Sequence, residues 1–356
     1  MPALESTAAK GTTMTAVAER SDSHHVDADP ALRVEGLTVD IRTVTGTVRA
    51  VDHVSFAAHR GETLALLGES GCGKSMTATA LVGLLEPVAE VTDGRADLAG
   101  RKETLDLLSV DRKKRRQVAG TELAIVFQDA LTALNPLYTV GTQLAEPFRI
   151  HHGMKAREAK RKAVELMVRV GIPQPEERLD SYPHQFSGGM RQRLLIAMAV
   201  ALNPRVLIAD EPTTALDVTV QAQIMALLKS LRTEYDMAVV LITHDLALVA
   251  EEADRVAVMY AGTVVETGVV ADVFADPRHP YTRGLLDSVP VHAERGAHLA
   301  SIGGAPPDLH SIPQGCVYQA RCPLAAEVCR TTRPALRPVG ERRAAACHFS
   351  EEVTHD

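Results

Sequence analysis

The stretch Gly68-Glu69-Ser70-Gly71-Cys72-Gly73-Lys74-Ser75 constrains this chain more than any other. Its spacing is G-x-x-x-x-G-K-S. An apolar run, Thr63 to Leu67, precedes it and predicts a buried strand, and Met76 to Leu85 comes after it and predicts a helix. A strand before and a helix after are the context this motif requires. The glycines let backbone N–H groups close around phosphate oxygens, and the helix N-terminus adds a favourable dipole. Gly68, Ser70, Gly71, Cys72, Gly73, Lys74, Ser75 and Met76 are therefore expected to bind nucleotide. Lys74 would reach the β- and γ-phosphates, and the Ser75 hydroxyl would sit on Mg²⁺. The Cys72 side chain is expected to act as a small filler with no chemical role.

The rest of the 356 residues supplies context. The length suits two domains, or one large domain with extensions. A net charge of -7 gives no global pull toward nucleic acid. The longest apolar run, Leu194 to Leu202, falls far short of the roughly 20 residues that span a bilayer. The N-terminus lacks a basic-then-apolar pattern. A soluble, intracellular chain is expected, with membrane association only through partners.

Residues 1–30 are rich in Ser, Thr, Ala, His and Asp and predict a disordered tail. Its His24-His25 pair is expected to be solvated. Leu32 to Phe56 alternates loosely and predicts an antiparallel β-layer. Val91 to Gly100 reads as polar and turn-rich. The basic run Arg112 to Arg116 reads as a solvated helix face. Residues 129–190 change character: Lys155 to Val170 has helical periodicity, and Pro173, Pro175 and Pro183 interrupt the chain beyond it. This stretch is expected to form a helical subdomain inserted in an α/β core.

Ser187-Gly188-Gly189-Met190-Arg191-Gln192 opens a strong helix, with Ser187 placed to cap it. Val206 to Glu211 is an apolar strand that ends in two carboxylates. Ligands of α/β proteins bind at the C-terminal ends of such strands. Asp210 is expected to hold Mg²⁺ through water, and Glu211 to polarise the attacking water. Ala238 to Ile242 repeats the pattern and ends at Thr243-His244-Asp245, aimed at the same crevice. Arg255 to Val265, with its turn at Ala261-Gly262, predicts a hairpin.

From Leu32 to Asp276 these pieces resemble the ATPase subunit of ABC transporters. The phosphate loop, Gln128, Ser187-Gly188-Gly189-Met190-Arg191-Gln192, Asp210-Glu211, Ala215-Leu216-Asp217 and His244 occur in that family's order. The resemblance implies that two subunits close face to face, with ATP between the phosphate loop of one and the Ser187 turn of the other. It implies that Gln128 reaches the metal and couples the site to membrane subunits, that Asp217 bridges the dimer, and that His244 holds the γ-phosphate. Glu211, His244 and Gln128 are thus the expected catalytic residues. One departure is visible: the family usually stacks adenine on an aromatic residue, whereas Leu32 to Ala50 contains none, and the nearest equivalent is Ile41.

The segment Pro277 to Leu286 resembles the "HPYT…LL" extension of oligopeptide and dipeptide importers, so residues 276–356 are expected to be that subfamily's C-terminal extension. Relatives in that subfamily serve peptides, nickel and other metal chelates, or haem. The expected partners are two transmembrane permease subunits, an extracytoplasmic binding protein and a second ATPase, with a heterodimer favoured over a homodimer. The expected location is the cytoplasmic face of the membrane. The competing class is a soluble ABC ATPase that acts on nucleic acid or ribosomes. Cys316, Cys322, Cys329 and Cys347 are spaced C-x5-C-x6-C-x17-C. Clustered intracellular thiols bind metal or serve redox chemistry more often than they form disulfides. Four thiolates could hold zinc or a cubane iron–sulfur cluster, or the thiols could simply pack, and the spacing lacks the C-x2-C knuckles common in zinc sites. The resemblance favours a 4Fe-4S iron–sulfur cluster held by these four thiolates.

Overall fold

The computed structural model describes residues 29–288 and 302–353. The expected N-terminal tail, apart from residues 29 and 30, lies outside the described residues, as does the His24-His25 pair.

Among the described residues twelve strands run in chain order: β1 (Leu32–Thr43), β2 (Gly46–Ala58), β3 (Thr63–Leu67), β4 (Ala89–Ala99), β5 (Thr104–Asp106), β6 (Leu123–Val126), β7 (Val206–Asp210), β8 (Ala238–Thr243), β9 (Arg255–Tyr260), β10 (Thr263–Val269), β11 (Arg337–Gly340) and β12 (Arg343–Ala345). They form two sheets. One is four-stranded, in the order β2-β1-β4-β5, and its strand pairs are antiparallel. The other is eight-stranded, in the order β11-β12-β10-β9-β3-β8-β7-β6. Its middle is parallel, with β3 between β8 and β9, while β10, β12 and β11 add on as antiparallel strands.

The continuous apolar runs become the central strands because both sheet faces are covered. Every residue of β3, β7 and β8 is buried. One face packs on the smaller sheet through Leu32, Val54, Leu98, Leu64, Ile208 and Val240. On the opposite face, Ile196 and Val200 from the helix Gly188–Val200 and Ile224 and Leu228 from the helix Val218–Tyr235 close over Leu207, Val239 and Leu241. The stretch between β6 and β7 carries the helices Ala130–Ala133, Val140–His152, Ala156–Arg169 and Pro175–Arg178; the second and third share an apolar cluster with Leu194.

Val91 to Gly100 corrects the sequence reading: all of it but Gly100 is strand, part of β4. Its outward residues are polar, so composition suggested a turn. Pairing with β1 and burial of Ala96 and Leu98 decide otherwise. The basic run does form an exposed helix, Arg112–Val118, but Arg115 turns inward and donates to the Leu107 carbonyl at 2.6 Å.

The C-terminal region is fastened to β10 by a buried ion pair. Glu266 is wholly buried and accepts from Arg343 (2.8 Å) and from the backbone N–H groups of Arg278 (2.8 Å) and His279 (3.0 Å). Glu266→Ala would strand the Arg343 cation, which also reaches Asp276. Loss of one partner of a buried pair costs about 3 kcal/mol. Chemical denaturation of this variant is expected to show a loss of that size.

Candidate functional site

The turn after β3 is built around one close approach. A Cβ on Gly68 would lie 2.2 Å from the Met259 carbonyl oxygen on β9, so no larger residue fits there. Gly73 holds φ at 100° and starts the helix Lys74–Val82; a Cβ there would also meet the Ala50 carbonyl oxygen at 2.6 Å. Between them the loop curls around the Lys74 ammonium. That group donates to the carbonyls of Gly68 (2.8 Å) and Glu69 (3.0 Å), although the residue is only 5% exposed. Cys72 is buried in the core between the sheets, and burial pushes its thiol up, which suits the filler expected of it. Ser70, Gly71 and Met76 complete the loop and the first turn of the helix.

The ends of β7 and β8 bring the predicted carboxylates to the same place. The Ser75 hydroxyl donates to Asp210 Oδ1 at 3.0 Å. Burial pushes the Asp210 carboxyl above its ordinary range, the Ser75 hydrogen bond opposes this, and the Glu211 charge reinforces it. Glu211 has a positive φ of 44°, which is unusual for a residue with a side chain and recurs at functional sites. Its carboxylate collects three partners. Gln128 Nε2 donates to Oε2 at 3.0 Å and Thr214 Oγ1 donates to Oε2 at 2.8 Å. His244 Nδ1 lies 3.0 Å from Oε1. A carboxylate only accepts, so Nδ1 carries the proton. Burial alone would raise Glu211, yet the His244 and Thr214 hydrogen bonds outweigh it and hold the carboxyl below its usual value. Adjacent acids pushed in opposite directions mark a site with divided roles.

The Ser187 turn keeps different company. Ser187 caps its helix by accepting from the Met190 N–H at 3.4 Å. Gly188 faces Leu216, and a Cβ on Gly189 would meet Val220 at 2.5 Å. Asp217 caps the neighbouring helix by accepting from Val220 N–H at 3.0 Å. Ser187, Gly188, Gly189 and Asp217 thus share one surface, beside the Val218 helix, while Gln128, Glu211 and His244 meet at the strand ends. Sequence reasoning missed Thr214, whose hydroxyl carried no motif. It also missed the contacts that Glu69 makes: the Glu69 N–H donates to the Tyr281 hydroxyl at 3.0 Å, and Arg321 grips the Glu69 carboxylate. Tyr281 lay in a stretch that the sequence did single out.

Comparison with known proteins fits this geometry. Residues 51–214 match the family described as "ABC transporter", and residues 265–329 match "Oligopeptide/dipeptide transporter, C-terminal region". The dipeptide transport ATP-binding protein DppD of Bacillus subtilis (strain 168) is 51% identical over 307 residues, covering 86% of this chain and 90% of the relative. This chain belongs to the ABC transporter family. DppD of Escherichia coli (strain K12) is 46% identical over 318 residues, covering 89% of this chain and 96% of the relative. Among solved structures, a dimeric ATP-binding cassette in a post-hydrolysis state with ADP and phosphate aligns with a TM-score of 0.59 at 26% identity. It covers 67% of this chain and 98% of the cassette. A Clostridium perfringens ABC transporter cassette aligns at 0.57 with 30% identity, covering 70% of this ABC ATPase and 92% of that chain.

The cysteines correct the expectation of a 4Fe-4S cluster. Among the described residues no three His, Cys, Asp or Glu side chains are gathered to hold a metal ion. Cys316 and Cys329 are buried in an apolar cluster with Tyr260, Tyr281 and Tyr318, and Cys322 packs against it. Cys347 is buried and accepts from the Phe349 N–H at 3.3 Å. Burial pushes the Cys316 thiol up, and the Cys322 and Cys347 thiols up to about 11. At Cys316, Cys322 and Cys347 the surroundings thus favour the protonated thiol, whereas a cluster is held by thiolates. Cys316 and Cys329 pack beside Tyr260 of β9 and Tyr281 of the helix Pro280–Asp287, a neighbourhood that spacing alone does not reveal.

The direction of these shifts fixes their effect on stability. The folded pKa lies above the ordinary thiol value of 9.0, so the fold favours the protonated form. That contribution is complete below pH 9.0 and is lost as pH rises through about 11. At pH 7.5, iodoacetamide is expected to label Cys322 about 100-fold more slowly than a free thiol with the ordinary pKa, because the thiolate fraction falls tenfold per unit. Mass spectrometry of timed samples measures this.

Proposed function

We propose that this chain is the ATP-hydrolysing subunit of an importer for peptides or related cargo. The observation that carries the proposal is the convergence of Gln128, Thr214 and His244 on the Glu211 carboxylate, beside Ser75–Asp210 and the phosphate loop. The dipeptide-transport names of the relatives and the match to the oligopeptide/dipeptide C-terminal region support the cargo class. The same matches leave no support for the alternative of a nucleic-acid or ribosome ATPase.

In this reading the backbone from Gly68 to Met76 cradles the triphosphate, and Lys74 exchanges its carbonyl partners for phosphate oxygens. A hydroxyl and a carboxylate 3.0 Å apart, Ser75 and Asp210, are oxygen donors of the kind a hard cation takes, with Gln128 as a further donor. Mg²⁺ held there neutralises charge on the phosphates. Glu211, ionised and fixed by its neighbours, orients and polarises the attacking water. His244, whose Nδ1 proton is committed to Glu211, presents its other ring nitrogen to the γ-phosphate. The Ser187-Gly188-Gly189 turn closes on a partner's nucleotide and Asp217 bridges the pair, so two cassettes complete each other's sites.

Residues 31–275 would form the ATPase domain, with a helical subdomain at about 129–190, and residues 276–356 the extension. Leu137 and Tyr138 come after Gln128 and are exposed apolar side chains suited to a permease contact. The assembly would hold two permease subunits, a second ATPase, preferably a different chain, and an extracytoplasmic binding protein. Among the described residues no helix is long and apolar enough to cross a membrane. The chain would bind peripherally, on the cytoplasmic face.

Lys74→Ala is expected to abolish ATP turnover at this site in the reconstituted transporter whose partner ATPase is disabled; phosphate release measures it. Glu211→Gln is expected to bind ATP normally and turn it over about 100-fold more slowly, as loss of a positioned base costs 10²–10⁴. A single-turnover rate equal to that of the unmodified chain would remove Glu211 from the chemistry.

A further inference from the structure

Glu69 is an anomaly for a loop that takes a polyanion. A carboxylate next to a phosphate site repels the ligand. Here it is not left free. Arg321, from the C-terminal region, meets it with both prongs: Nη1 to Oε2 at 2.8 Å and Nη2 to Oε1 at 3.0 Å. The Arg321 side chain is only 4% exposed and Glu69 29%, so water screens the pair weakly. Its remaining donors are spent on the Gly303 and Ile302 carbonyls, at 2.9 and 3.3 Å, and on the Tyr260 hydroxyl at 3.4 Å. The guanidinium also lies over the rings of Tyr260 (5.7 Å) and Tyr318 (6.0 Å), which fixes its direction. A second, separate contact acts on the same residue: the Tyr281 hydroxyl accepts the Glu69 N–H. The Glu69 carbonyl, in turn, holds the Lys74 ammonium at 3.0 Å. A chain of contacts thus runs from the C-terminal region through one loop residue to the lysine that meets phosphate.

We propose that Arg321 is a positioning residue for the phosphate-binding loop: it neutralises and fixes Glu69, so that the C-terminal region sets how tightly the loop takes a nucleoside triphosphate. This rests on the nucleotide-site assignment above and adds a regulator to it. Any partner or truncation that pulls the C-terminal region away would free a negative charge inside the loop and slacken the lysine's anchor. Coupling of this kind is electrostatic at its source, because the two groups are 252 residues apart in sequence and meet only in the fold.

The test is titration of the full-length chain with a fluorescent ATP analogue in the presence of Mg²⁺. Arg321→Ala is expected to bind about tenfold more weakly than the unmodified chain, the scale of one charge-assisted bidentate contact. The double variant Arg321→Ala with Glu69→Gln is expected to recover at least about threefold of that loss, because the freed charge is gone. A purely structural arginine would show no such recovery, and a double variant as weak as Arg321→Ala would overturn the proposal. So would an Arg321→Ala chain that binds like the unmodified one. Should Arg321→Ala lose its thermal transition, Arg321→Gln reads the same loop: it keeps a polar side chain there and loses the charge. A loss of affinity relieved by Glu69→Gln would support the proposal, and unchanged affinity would overturn it. An unmodified chain that does not bind the analogue at all would instead overturn the nucleotide-site assignment itself.

Discussion

An ammonium group that is almost wholly buried has to be surrounded by oxygen atoms, and Lys74 sets that condition for the centre of this molecule. Its oxygens come from the backbone of the loop that precedes it. The loop can curl so tightly only because Gly68 lies against the Met259 carbonyl on β9. β9 in turn stays beside β3 because both faces of the parallel strands are covered by apolar side chains. Satisfying one cation therefore requires the whole sheet to be in register. In the nucleotide-site reading proposed above, phosphate oxygens would take the place of these carbonyls on Lys74, in a loop already shaped for them.

Much of this was legible in the chain itself. Short apolar runs followed by carboxylates or a histidine pointed to β7, β8 and the residues at their tips, because a buried parallel strand reads as an unbroken apolar run. β4 was not legible. Thr92, Asp93 and Gly94 look like a turn, and only pairing with β1, far away in sequence, makes them strand. Thr214 was missed because one hydroxyl among many carries no periodic or compositional signal. The C-terminal cysteines show the opposite failure. Their spacing left zinc, a cluster and plain packing open and a family likeness favoured the cluster, but spacing says nothing about packing: Cys316 and Cys329 lie in an apolar cluster with three tyrosines, and no metal-holding group forms among the described residues.

Two neighbouring acids illustrate how backbone geometry divides labour. Asp210 ends β7 inside the sheet, where burial and the adjacent charge favour its neutral form. Glu211 leaves the strand with a left-handed turn, which carries its carboxylate to three polar partners that favour the ionised form. One peptide bond separates opposite environments. The strained φ is what makes that separation possible, and the Glu211 N–H bond to the Ile242 carbonyl at 2.9 Å holds it.

The short strands β11 and β12 have a consequence for solubility. Without them β10 would end the larger sheet as an open, largely apolar rim, the kind of surface on which foreign strands assemble. β12 covers that rim with three residues, and β11 finishes it with Arg337 and Pro338. Proline lacks the donor that a further strand would need, and the arginine adds a charge, so the sheet stops there instead of recruiting a neighbour. Cutting the chain before Arg337 would turn a guarded border into a nucleus for fibrous aggregation.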